Sequence, residues 1–247
     1  MRIDLVTAFP NLVQGPLEES IIKRAQDKEL VRIIVHDLRE FTTDKHHKVD
    51  DYPYGGGAGM VMKPEPFFRC LEQILASVED NRNPRIIYMS PQGELFNQKM
   101  ANELAHDEHL IFLCGHYKGI DERVVEEFVT DEISIGDYVL SGGELPALVV
   151  IDSVVRLIPG AISDMDSAAT DSFQQDLLDC PYYTRPEEYR GLQVPEVLLS
   201  GHHENIRKWR REQSLNRTTS RRRDLLSNHR NKKNGFDRTE DEYNGQA

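Results

Sequence analysis

Ile3-Asp4-Leu5-Val6-Thr7 begins the chain as a short run of strand length, and Asn11 to Lys28 then shifts to helical spacing, with Leu12, Leu17, Ile21, Ile22 and Ala25 on one side. The alternation continues. Val31-Arg32-Ile33-Ile34-Val35-His36 is β-branched and reads as a strand, and Pro66 to Val78 carries Phe67, Leu71, Ile74 and Leu75 at helical intervals. Arg85-Ile86-Ile87-Tyr88-Met89-Ser90 is a strand expected to end at Pro91. Asn97 to Ala105 is a helix, and Leu110-Ile111-Phe112-Leu113-Cys114 is another buried strand. Strands alternating with helices predict an α/β fold with a mainly parallel sheet over Met1 to about Val155.

The pattern weakens after Gly160. Ala161-Ile162-Ser163-Asp164-Met165-Asp166-Ser167-Ala168-Ala169-Thr170 is small, polar and weakly periodic, a linker composition. Ile206 to Leu226 reads as a basic helix, and the polar tail beyond about Asn228 is expected to be mobile. The predicted layout is an α/β domain over 1–160, a flexible linker over 161–175, and a small, basic, mainly helical domain with a mobile tail over 176–247.

Composition changes the picture mainly through charge. The 247 residues carry a net charge of -12, which argues against a nucleic-acid partner until its distribution is considered. From His202 to Arg238, 12 Lys and Arg stand against 4 Asp and Glu, an excess of +8 that leaves -20 on the rest. A basic arm on an acidic body suits an anionic polymer, although a solvated helix followed by a disordered tail has the same composition. Cys70, Cys114 and Cys180 lie far apart and fit neither a metal-ligand spacing nor a disulfide framework. No stretch approaches the roughly 18 apolar residues of a membrane span. Arg2 and Asp4 interrupt any apolar leader core, so a cytoplasmic setting is expected.

Three loops follow strand-like runs: Tyr88-Met89-Ser90-Pro91-Gln92-Gly93, Cys114-Gly115-His116-Tyr117-Lys118-Gly119, and Ser134-Ile135-Gly136-Asp137-Tyr138-Val139-Leu140-Ser141-Gly142-Gly143-Glu144-Leu145-Pro146. In open α/β sheets ligands bind outside the carboxyl ends of strands, so these loops could converge on one pocket. Singly, each also reads as an ordinary turn. Gly55 to Gly59 fails the dinucleotide fingerprint, because Met60 occupies the last glycine position, and no phosphate loop of the G-x-x-x-x-G-K-[ST] type exists.

The Asp50-Asp51-Tyr52-Pro53-Tyr54-Gly55-Gly56-Gly57-Ala58-Gly59-Met60 block, the Ser134 to Pro146 block and Ser200-Gly201-His202-His203-Glu204-Asn205-Ile206-Arg207-Lys208-Trp209-Arg210 together resemble the bacterial tRNA (guanine-N1)-methyltransferase family, from Ala8-Phe9-Pro10 to about Arg223. The resemblance implies S-adenosylmethionine held in the trefoil-knotted sheet of the SPOUT superfamily. It also implies a homodimer whose active site uses both chains, and transfer of a methyl group to N1 of guanosine 37, just 3′ of the anticodon. By the same resemblance the cofactor site is Tyr88, Met89, Ser90, Pro91 and Gln92, then Cys114, Gly115, Tyr117 and Gly119, then Ser134, Ile135, Gly136, Tyr138, Leu140, Gly142, Gly143 and Pro146. Magnesium is reported for the family, and the sequence indicates no site for it. A knot would not be proposed from periodicity, since knots are nearly absent from proteins.

Guanine N1 is protonated at neutral pH, so a base must remove that proton while charge grows toward O6. The resemblance implies Asp171 as the base and Arg156 as its assistant. Read without it, Asp171 is a helix cap and Arg156 a surface ion pair. Asp50 and Gly59 match elements that contact the target guanine, and Asp179, His202, His203, Arg207, Lys208 and Arg210 are assigned to tRNA. Asp50-Asp51 and His202-His203 are not read as metal sites, because neither pair has partners at ligand spacing. Lys118 departs from the acidic residue of many relatives. It cannot accept a hydrogen bond and is expected to point outward or toward phosphate. Other readings are a knotted ribosomal-RNA methyltransferase, a non-catalytic RNA-binding module, and a small-molecule methyltransferase.

Overall fold

The computed structural model describes residues 1–78, 83–162 and 171–226. The expected linker is therefore described only at its ends, and the expected mobile tail lies outside the described residues. The chain divides into two compact units, Met1–Met165 and Asp166–Ala247.

In chain order the first unit contains β1 (Arg2–Thr7), α1 (Asn11–Leu17), α2 (Ser20–Asp27), β2 (Arg32–Asp37), the short strands β3 (Asp50–Asp51) and β4 (Val61–Met62), α3 (Pro64–Ala76), β5 (Arg85–Leu95), α4 (Gln98–Leu104), β6 (His109–Cys114), α5 (Glu122–Phe128), β7 (Asp131–Ser134) and α6 (Glu144–Val155). Five strands pair in the order β2-β1-β6-β5-β7, and every pairing is parallel. Each strand sends alternate residues to opposite faces. Ile3, Leu5, Ile87, Met89, Leu110 and Phe112 meet α1, α2, α4 and α6 on one face. Val6, Ile86, Ile111 and Leu113 meet Phe67, Leu71 and Ile74 of α3 and Val124 of α5 on the other. The central strand β6 is buried along its whole length, which explains its uninterrupted apolar sequence.

Two boundaries differ from expectation for identifiable reasons. Asn11 to Lys28 forms two helices, because Ser20 turns the chain with φ 53° and Pro16 removes a helix donor. Strand β5 does not end at Pro91. Met89 pairs with Ile133, residues 90–93 bulge out, and Glu94 meets the same Ile133 before Leu95 pairs with Ser134. Gly93 makes this return, and a Cβ there would strike the backbone of Glu132 and Ile133.

One polar cluster lies within this core. The fully buried Asp4 carboxylate accepts from Arg2 Nε, and it contacts His36 Nε2 and His109 Nε2, each at 2.6 Å. Burial pushes the Asp4 pKa up, but hydrogen bonds with His109, His36 and Arg2, with the Arg2 charge, hold it well below the ordinary carboxylate value.

The second unit has a hairpin of β8 (Glu188–Tyr189) and β9 (Leu192–Gln193), a single turn α7 (Glu196–Leu199) and the long α8 (His203–Arg221). The helix expected over 206–226 starts earlier and breaks at Arg222, whose φ is -143°, before 223–226 resume helix. Thr218 anchors α8 to the unit's first segment. Its buried hydroxyl accepts from Leu178 N–H at 2.9 Å and donates to Ser214 O at 2.7 Å.

Candidate functional site

The bulge in β5, the loop after β6 and the loop between β7 and α6 surround a cavity of about 270 Å³ at the carboxyl ends of these strands. Fifteen of the 17 expected cofactor residues line it; the exceptions are Gln92, which is exposed, and Cys114, which is buried in the core. His116, Lys118, Ile133, Val139 and Ser141 also line it. The glycines are closely packed, Gly143 against backbone and the others against side chains. A Cβ at Gly115 would lie 3.0 Å from the Tyr88 ring, at Gly119 2.9 Å from the Tyr88 hydroxyl, and at Gly143 2.9 Å from Cys114 Cα. At Gly142 it would overlap the Glu144 carboxylate and crowd His116. The lining contains no Asp or Glu, and its only permanently charged side chain is the exposed Lys118 at the rim.

Backbone bonds tie this cavity to the Asp50 block. Gly143 N–H donates to Gly115 O at 2.8 Å on one side of the 115–119 loop. On the other side, Lys118 N–H donates to Met60 O at 3.1 Å and Met62 N–H to Gly119 O at 3.0 Å. Met62 pairs with Asp50 in the β3–β4 hairpin. Tyr117 joins the same elements through its side chain. A hydrogen bond with Asp50, then burial and the Asp50 charge, raise the Tyr117 pKa against the nearby Arg39. Tyr117 holds φ 60°, a conformation that side-chain-bearing residues seldom adopt. Gly59 lies beneath Lys118, its ideal Cβ position 3.0 Å from Lys118 Cγ. The cavity and the expected guanine loop therefore share one wall.

A feature the sequence did not reveal is Glu144. It is 2% exposed at the start of α6, and it accepts from the buried Thr7 hydroxyl at 2.7 Å across the strand ends. A carboxylate in the first turn of a helix is electrostatically favoured there, and it braces the Gly142-Gly143 turn from below. No sequence pattern distinguishes it from an exposed first-turn acid.

Arg156 caps the carboxyl end of α6 in the first unit, and Asp171 begins the described part of the second. No helix starts at Asp171. Its carbonyl accepts from Gln174 N–H at 3.3 Å within a series of turns, so the helix-cap alternative finds no helix to cap. The neighbouring Ser172 hydroxyl accepts from Asp179 N–H at 3.0 Å, and the Asp179 carboxylate accepts from the Tyr182 hydroxyl at 2.8 Å. His202, His203, Arg207, Lys208 and Arg210 are exposed at the start of α8. Among the described residues no group of three or more His, Cys, Asp or Glu could hold a metal ion, and no helix is long and apolar enough to cross a membrane.

A parallel α/β sheet with a glycine-lined cavity at its strand ends places the protein in the class of open α/β folds, whose ligands bind at that edge. Residues 1–228 match the model of the tRNA (Guanine-1)-methyltransferase TrmD family, and the chain belongs to that family. It is 59% identical over 226 residues to a tRNA (guanine-N(1)-)-methyltransferase of Desulforamulus reducens, covering 92% of this chain and 89% of that protein. It is 56% identical to proteins of the same name from Bacillus cereus and Bacillus anthracis, covering 92% of each chain.

Proposed function

We propose that the protein transfers a methyl group from S-adenosylmethionine to N1 of guanosine 37 in tRNA. The observation that carries this reading is the shared wall. The 115–119 loop is hydrogen-bonded to Gly143 of the cofactor cavity on one side and to Met60 and Met62 of the guanine-loop hairpin on the other. On this reading the loop holds donor and acceptor sites in fixed register, which is what positional catalysis demands.

The cavity fits the cofactor. Its glycines leave backbone close to a ligand, and its lining presents aromatic and aliphatic surface with a few hydroxyls. When bound, S-adenosylmethionine supplies a methyl group activated by a positively charged sulfur. The chain's own residues supply the rest. Asp171 takes the N1 proton, Arg156 offsets the charge growing at O6, and Asp50, oriented by Tyr117, accepts from the base edge. The exposed cations of α8 hold the phosphate backbone. No metal-dependent step is assigned.

The family's trefoil knot belongs to this reading. It is supported by the way the chain leaves β7, presses Gly143 against the end of β6 and returns as α6 over the face covered by α1, α2 and α4. The homodimer is supported by exposed apolar residues on α1 and α6, Leu12, Leu145 and Val149. The test uses radiolabelled S-adenosylmethionine and one tRNA made with guanosine or adenosine at position 37. Transfer to the guanosine form alone is expected. Equal transfer to both forms, or none to either, overturns the assignment.

A further inference from the structure

The second unit contains its own cavity, of about 340 Å³, walled by the extended segment after Cys180 on one side and by α7 and the start of α8 on the other. Its chemistry is mixed in a particular way. Tyr182 and Tyr183 are 65% and 50% exposed, so their rings are available. Both are also braced. The Tyr182 hydroxyl donates to Asp179, and Tyr183 packs against Trp209 with centroids 6.5 Å apart. Leu198 and Ile206 line it with apolar surface, and Arg185 and Arg210 supply two cations against the single carboxylate of Glu187. Arg210 stands exposed among the basic residues of α8, so the cavity meets the row already assigned to phosphate.

Aromatic rings held in place, apolar surface and guanidinium groups match the two halves of a nucleotide, a flat base and a charged phosphate. Single-stranded RNA is read in this way, by splaying out an unpaired base and stacking it on an aromatic side chain. We propose that this cavity takes one extruded nucleotide of the tRNA, with its base against Tyr182 and Tyr183 and its phosphate on Arg185 and Arg210. The site is separate from the cavity of the first unit, and the proposal rests on the tRNA reading given above. It assigns the second unit a grip on an unpaired nucleotide in addition to charge.

The test uses the full chain and a set of tRNA transcripts, each with one unpaired nucleotide other than position 37 replaced by 2-aminopurine, whose emission falls when it stacks. Leu198→Trp fills the cavity without touching a cation, and Val194→Trp fills it from another wall should the first variant fail to fold. With wild type, quenching is expected at one transcript position. With either folded variant that quenching disappears, and tRNA affinity falls by about 5- to 150-fold, the effect of removing one stacked base. If no position is quenched, or if affinity and quenching survive in a folded variant, the proposal is overturned. It is equally overturned if filling the cavity changes only the oligomeric state in sedimentation, because the occupant is then a second copy of the chain. Methyl transfer to the same transcripts is scored separately. Quenching without transfer keeps the cavity and rejects the methyltransferase reading, whereas transfer without quenching does the reverse.

Discussion

A single methyl group at Gly143 tests whether the cavity of the first unit holds the cofactor. Gly143 has φ -81° and ψ -6°, an ordinary conformation for any residue, so alanine introduces no backbone strain and its effect is steric. The added Cβ would lie 2.9 Å from Cys114 Cα and 3.2 Å from both Gly115 N and Met89 Cβ. The nearest atom is backbone of the fully buried strand β6, which cannot rotate aside. The turn must therefore retreat by about half an ångström to reach ordinary contact. That retreat stretches the 2.8 Å Gly143–Gly115 hydrogen bond toward its limit. Overpacking of this kind costs about 1–3 kcal/mol.

Because the turn lines the cavity, the displacement is expected to weaken S-adenosylmethionine binding by about 5- to 150-fold, at tenfold per 1.4 kcal/mol. Isothermal titration of Gly143→Ala with S-adenosylmethionine measures this, and circular dichroism verifies the fold. Gly15→Ala is the control. Its Cβ meets nothing within 4 Å, and its affinity should equal that of wild type. A folded Gly143→Ala protein whose cofactor dissociation constant stays within twofold of wild type would refute the placement of the cofactor here.

Four further expectations follow from the same geometry. Asp171→Asn preserves size but cannot take a proton, so single-turnover methyl transfer should slow by roughly 10²-fold or more with cofactor affinity unchanged, and a rate within threefold of wild type rejects Asp171 as the base. Arg156→Ala should cost about 2–4 kcal/mol of transition-state stabilisation while tRNA binding changes little; a parallel, salt-sensitive fall in both makes Arg156 a phosphate contact instead. Replacing Arg207, Lys208, Arg210 and Arg211 with alanine should flatten the plot of log affinity against log salt by about one unit for each phosphate no longer neutralised, and an unchanged slope means the row is only solvated. Asp4→Asn should destabilise the first unit by about 3–5 kcal/mol, since it leaves Arg2, His36 and His109 facing a group that no longer balances them. The depressed Asp4 pKa also fixes a sign. Its stabilisation is complete above the ordinary value of 3.8 and is lost as pH falls below it toward the folded value, so the acid limb of wild-type stability should shrink in Asp4→Asn.

What the sequence made legible, and what it did not, divides along a physical line. Buried strands were readable because a strand covered on both faces must be apolar throughout, as Leu110 to Cys114 is. The second half of β5 was not readable, because Ser90-Pro91-Gln92-Gly93 has turn composition whether the chain leaves the sheet there or bulges and returns. The return depends on Gly93 fitting against the backbone of β7, a contact between residues some forty positions apart. Glu144 was hidden for a related reason. Its local sequence describes an ordinary helix start, and only the closure of α6 over β1 brings Thr7 to it.

The same distinction governs the site. Residue types along the three loops and the Asp50 block could suggest cofactor and base contacts one segment at a time. The joining of those segments lies in main-chain bonds, such as Lys118 N–H to Met60 O and Gly143 N–H to Gly115 O, which carry no side-chain signature. Main-chain joints also leave the Lys118 side chain outside the wall. The wall between the two sites is built from backbone, glycine and the Tyr88 ring beneath it, and the side chain at 118 lies over Gly59 without taking part in the joint. The identity of residue 118 is then free to tune charge at the rim, while the main-chain bonds that join the cavity to the Asp50 hairpin do not depend on its side chain.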